Sequence, residues 1–94
     1  MDKLGDRQIK ARLGKLDGWG INARGELENT FVCSGFPQAL MFAVAVGVLA
    51  EAAQHHPDIL IRWNKVTLSL TTHDAGGLTD KDFALAKQID GLPR

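Results

Sequence analysis

Apolar positions along the chain change their spacing several times, and each change marks an element. Ile9, Leu13 and Leu16 recur at intervals of four and three, the stripe of a short amphipathic helix that Asp6 can cap and Gly18 can stop. Trp19 opens an extended segment, and Arg24-Gly25 supplies a turn before Leu27, Asn29, Phe31 and Cys33 alternate with Glu28, Thr30, Val32 and Ser34. Two strands in a hairpin follow from this pattern. Ser34 can then cap a helix that accepts Pro37 in its first turn, where a missing N–H loses no intrahelical bond. That helix is expected to run to about Gln54 and to end because of Pro57, since the residue before a proline is biased away from helical geometry.

The next stretch is the most regular in the chain. Ile59, Ile61 and Trp63 alternate with Leu60 and Arg62, and Val66, Leu68 and Leu70 alternate with Lys65, Thr67, Ser69 and Thr71. If Asn64 and Lys65 are the central turn residues, Trp63 pairs with Val66, Ile61 with Leu68 and Ile59 with Leu70, an apolar face on both strands that a one-residue slip would destroy. Thr79, followed three residues later by Asp82, is a carboxylate variant of the capping box and starts a last helix with Phe83, Ala86 and Ile89 inside. The element order is α-β-β-α-β-β-α. It predicts an α+β two-layer sandwich of a four-stranded antiparallel sheet and three helices, in a single domain over residues 1–94.

Composition narrows the partners. Eleven basic and eleven acidic residues cancel, so no field of one sign is available to hold a nucleic-acid backbone or an anionic membrane, and neither partner is expected. The mixed-charge opening MDKLGDRQIK has no apolar leader, which predicts a start at Met1 and a cytoplasmic location. The apolar run Ala39–Ala50 is shorter than the roughly 18 residues of a membrane span and is closed by Glu51. Yet this run is apolar around nearly its whole circumference, where a helix on one face of a sheet needs only a stripe. A second buried face implies self-association through the 37–54 helix. The lone Cys33 excludes an intrachain disulfide and reads as a small buried apolar residue.

Three histidines carry the candidate chemistry. Extended outward, the register above sets His56 opposite His73 and His55 opposite Asp74, the alpha carbons of each pair about 4.5–5.5 Å apart, on the face away from Ile59 and Leu70 for His56 and His73. Imidazoles titrate near neutrality, so such a cluster suits paired acid and base work, proton transfer with loss of water. A metal is disfavoured, because His55 and His56 are adjacent and point apart and no pair has the i, i+4 spacing of a zincin. Neither Cys33 nor Ser34 lies near the histidines in sequence or within a G-x-S-x-G turn, and Gly76-Gly77 is a turn rather than a phosphate loop. A purely structural role for solvated loop histidines stays open on these grounds.

The segment EAAQHHPDILIRWNKVTLSLTTHDAGGLTDKDFALA, Glu51 to Ala86, resembles the pterin-4a-carbinolamine dehydratase family. It has a Glu shortly before HHP, a hairpin, then T-H-D and a G-L-T turn before a helix, and looser likeness extends upstream through Gly18-Trp19 and Phe36-Pro37-Gln38-Ala39. The resemblance implies dehydration of a 4a-hydroxytetrahydropterin to quinonoid dihydropterin, with no cofactor or metal, and a functional link to the aromatic amino acid hydroxylase that releases the substrate. It also implies His55 and His73 as the acid and base pair and His56 as an orienting group. Glu51, at i, i+4 from His55, would fix that ring's tautomer, while Gln54, Pro57, Thr71, Thr72 and Asp74 would contact the pterin. Gln54 and Lys81 depart from residues common in the family. A non-catalytic interaction module on the same fold, of the transcription-coactivator kind, is the alternative.

Overall fold

The computed structural model of the chain describes residues 2–94, so Met1, the expected start, lies outside the described residues. Its elements follow the expected order: α1 (Asp6–Leu13), β1 (Gly20–Ile21), β2 (Leu27–Val32), α2 (Phe36–Ala53), β3 (Asp58–Arg62), β4 (Lys65–Leu70) and α3 (Asp80–Asp90), with a 3₁₀ turn at His73–Ala75. The strands form one antiparallel sheet in the order β1-β2-β4-β3.

Period-two alternation decides which side of the sheet meets the helices. Leu27 and Phe31 of β2 and Val66, Leu68 and Leu70 of β4 are buried, and they pack with Ala39, Phe42, Val46 and Ala50 of α2 and Phe83, Leu85, Ala86 and Ile89 of α3. Each large side chain removed from water in this layer contributes roughly 1.5–3 kcal/mol. The opposite face of the sheet carries Thr30, Thr67 and Ser69 and has no helix over it among the described residues, which is the one-sided pattern of an antiparallel sheet.

Two helix starts differ from expectation. Gly5, not Asp6, precedes α1, and its N–H donates to the Gln8 side chain at 2.9 Å. Gly35, not Ser34, precedes α2, in extended backbone with no side-chain cap bond. Both stand in extended backbone, the usual conformation of this position, where glycine ranks close behind the hydroxyl caps. α1 also ends at Leu13, well before Gly18. At the far end of the chain Thr79 and Asp82 do form the predicted capping box of α3.

α2 ends at Ala53, next to the expected Gln54, and its exit is shaped by Gln54 itself. Gln54 takes the left-handed conformation, φ 51°, so that its N–H reaches the Glu51 carbonyl while the His55 N–H reaches the Ala50 carbonyl. This pair of bonds is the Schellman closure, and it points the chain toward β3 with His55 as its first residue. By length and composition α2 would suffice to cross a membrane, its 18 residues exceeding the apolar run read from the sequence. One side of it nevertheless lies on the sheet, and Met41, Val44 and Val48 stand exposed on the other.

The β3–β4 register is corrected. Arg62 pairs with Lys65 and Ile59 with Leu68, so Trp63 and Asn64 form the turn and the pairing is displaced by two residues from the expected one. A slip of two keeps every side chain on its original face, so the hydrophobic pattern is blind to it. Apolar Ile61 against Val66 serves the core as well as the expected pairing would have.

Candidate active site

With the pairing displaced, extension of the strands no longer sets His56 against His73. The structure brings the histidines together by another route. β3 begins only at Asp58, leaving His55, His56 and Pro57 as an ordered connection from the Schellman closure. On the other side Thr72 makes an isolated bridge with Gly77, and the chain between them coils into the 3₁₀ turn that starts at His73. Gly76 closes it at φ 74°, a left-handed position that suits glycine.

These two connections and the start of α3 enclose a cleft of 230 Å³. His55, His56 and His73 all line it. Gln54, Thr71, Thr72 and Asp74, each singled out in the sequence, line it as well, and Lys81 from the first turn of α3 completes it. Pro57 and Glu51 do not line it.

Each of two rings has its own carboxylate, and the assignment differs from the expected one. Glu51 bonds His56, Nε2 to Oε1 at 2.8 Å, not His55. The left-handed turn at Gln54 breaks the helical spacing on which the i, i+4 argument rested, and swings the second histidine back toward the helix end. The bond from His56, followed by the charge of that ring, holds the Glu51 carboxyl below its ordinary value.

His55 instead meets Asp82, Nε2 to Oδ1 at 2.6 Å. Asp82 has no exposed surface, and its Oδ2 accepts from the Thr72 hydroxyl at 2.8 Å and from the Thr79 N–H at 2.9 Å. The hydroxyls of Thr72 and Thr79 lie 2.8 Å apart, and the Lys81 N–H reaches Thr79 Oγ1 at 3.3 Å. A buried carboxylate is tolerated when its lone pairs are filled in this way, at a helix N-terminus that favours negative charge. Because an ionised carboxylate can only accept, this contact places a proton on His55 Nε2 and leaves Nδ1 as the ring's other functional atom.

His73 makes no side-chain hydrogen bond among the described residues and is exposed. Its electrostatic surroundings include Glu26, at the β1–β2 turn. The Asn22 side chain, which donates to both Glu26 and Glu28, is the main cause holding the Glu26 carboxyl below its ordinary value, with Arg24 and then His73 adding to it. The cleft thus holds one buried ring locked by a carboxylate, one exposed ring tethered to another, and one untethered. Among the described residues no group of three or more metal-ligating side chains is placed to hold an ion.

Comparison with known proteins agrees with this architecture. The family model described as pterin 4 alpha carbinolamine dehydratase matches residues 2–92. The chain belongs to that family. A protein of Roseiflexus sp. (strain RS-1), provisionally named a pterin-4-alpha-carbinolamine dehydratase, is 61% identical over 90 residues, covering 96% of each chain. A likewise named protein of Sulfurisphaera tokodaii is 45% identical over 92 residues, covering 98% of each. Among solved structures, the transcriptional coactivator/pterin dehydratase of Brucella melitensis superposes with a TM-score of 0.89 at 28% identity, over 95% of this chain and 96% of that one.

Within this pterin carbinolamine dehydratase fold, Asp82 is the residue of the site that sequence reasoning placed elsewhere. The sequence predicts it as a helix cap, a role it performs through Oδ2, while Oδ1 serves His55. The available signal was its chemistry: a capping acid has a second oxygen, and a buried histidine needs a partner for its ring N–H.

Proposed function

We propose that the chain removes water from a 4a-hydroxytetrahydropterin, giving the quinonoid dihydropterin. The observation that carries this reading is the convergence of three imidazoles from two separate connections on one cleft, with only His55 locked by a buried carboxylate. In the reaction the C4a–O bond breaks as its oxygen takes a proton from a general acid. The N5 proton passes to a general base, and its bonding pair forms the C4a=N5 double bond. His55 and His73 supply the acid and base pair, and His56, held by Glu51, orients the substrate. Thr71, Thr72, Gln54 and Asp74 lie where they would contact the pterin. The substrate would arise from an aromatic amino acid hydroxylase. Adding chemically generated 4a-hydroxytetrahydropterin and following its decay tests the reading: wild type should exceed background and His73→Ala should fall to near it, whereas equal background decay in both would refute it.

A second reading draws on the outer face of α2. Met41, Val44 and Val48 are exposed on a helix that has no polar side, which supports association of copies into a dimer or tetramer through residues 37–54. The same face would serve a binding role of the kind named for the Brucella protein, and light scattering of wild type separates association from a monomer that leaves the face free.

A further inference from the structure

The opposite end of the β3–β4 hairpin breaks two local rules at once. Trp63 occupies the first central position of the two-residue turn with φ 53°, where positive φ is expected and glycine is preferred, yet it is a bulky aromatic and 71% exposed. Beside it Arg62 and Lys65 are directly paired across the strands, two like charges on one face, a destabilising arrangement. Neither has an ion-pair partner among the described residues.

The turn is not loose. The Cys33 N–H donates to the Asn64 carbonyl at 2.7 Å, and Asn64 Nδ2 donates back to the Cys33 carbonyl at 3.2 Å, stitching the tip to the end of β2. A strained conformation persists where its surroundings over-determine it, and such positions concentrate where something is bound. Arg62, Trp63 and Lys65 line a groove of 540 Å³ whose floor is the Thr30 and Thr67 hydroxyl pair, bonded at 2.8 Å. No carboxylate lines it. It lies a full strand length, roughly 13–17 Å, from the histidine cleft.

We propose that this groove is a second binding site, for a phosphate-bearing planar ring of the mononucleotide class. Two cations without ion-pair partners among the described residues and the one hydroxyl hydrogen that the threonine pair leaves undonated match a phosphate, and an exposed indole offers a flat ring a stacking surface. A bound anion would also relieve the opposition between Arg62 and Lys65, which gives that opposition a use.

The test is titration of the full chain with adenosine diphosphate, adenosine and pyrophosphate separately, followed by indole fluorescence and calorimetry; Trp19, buried in the core, is the silent reference. The diphosphate should bind at least tenfold more tightly than either fragment and quench Trp63. Arg62→Gln and Lys65→Ala should each weaken it about tenfold, and Trp63→Gly should remove the quench and the ring's share of affinity, all with melting temperatures at or above wild type and pterin dehydration unchanged. His73→Ala should bind the diphosphate normally; loss of binding there would place the nucleotide in the histidine cleft and overturn the proposal. It is overturned equally by no saturable binding, by variants that bind as wild type, by a single-stranded oligonucleotide binding more tightly than the mononucleotide, or by a Trp63 emission that responds to protein dilution and not to the diphosphate.

Discussion

Two histidine–carboxylate pairs, whose rings line this cleft, differ in almost everything except chemistry. His55–Asp82 is 2.6 Å long with side chains 10% and 0% exposed, and His56–Glu51 is 2.8 Å long with side chains 61% and 72% exposed. The buried pair joins residues 27 apart in sequence, the exposed pair residues only 5 apart. Water competes for every hydrogen bond of the exposed pair and screens its charges, so it orients a ring without adding much stability. The buried pair is part of a closed network through Thr72 and Thr79, where removing any member strands the others. Adjacent histidines of the same type are therefore separated into a fixed group and an adjustable one.

The largest expected effect comes from breaking the buried side. Asp82→Ala leaves the His55 ring, the Thr72 hydroxyl and the Thr79 N–H without their acceptor, and should cost about 3–5 kcal/mol of stability. Chemical denaturation would measure it; a loss well under 1 kcal/mol would erase the distinction between the pairs. His73→Ala removes a ring with no partner to strand, so its melting temperature should stay close to wild type while turnover falls by about 10²- to 10⁴-fold. A variant that melts early, or one that turns over normally, would place His73 in a structural role.

Val44→Glu asks whether the exposed pair stays exposed in solution. Val44 lies on the outer side of the helix that carries Glu51. If copies cover that side, a carboxylate there should weaken association by about 3 kcal/mol, visible in sedimentation or light scattering. Wild type and variant with the same mass at all concentrations would show the face uncovered.

The smallest effect concerns Glu51, whose carboxyl is held below the ordinary 4.5 by His56. A carboxyl with a lowered folded pKa stabilises the fold above its unfolded value, and that contribution is lost as pH falls through the folded value. Wild type should therefore be slightly more stable than Glu51→Gln near neutral pH, and the gap should close in the acid range below 4.5. Melting curves across that range check the sign; a gap that widens on acidification would contradict it.

Much of this arrangement is legible in the residues alone. Stripes spaced by three and four, and alternation by two, each follow from the geometry of one element, so Ile9 and Leu13, Leu27 and Phe31, or Val66 and Leu70 declare their helices and strands without reference to the rest of the chain. The Thr79–Asp82 box is equally local, and HHP together with THD marks the cleft. What needed the tertiary structure was every choice between arrangements that such patterns score alike. A hairpin slipped by two residues buries the same faces, so only the turn at Trp63-Asn64 and its bonds to Cys33 select the register. Likewise the left-handed exit at Gln54 exchanged the histidine that Glu51 could reach, and packing of α3 beside α2 brought Asp82 to His55 across 27 residues. Periodicity records which side of an element is buried; it carries no information about which distant polar group waits on that side, because that is decided by how the layers meet.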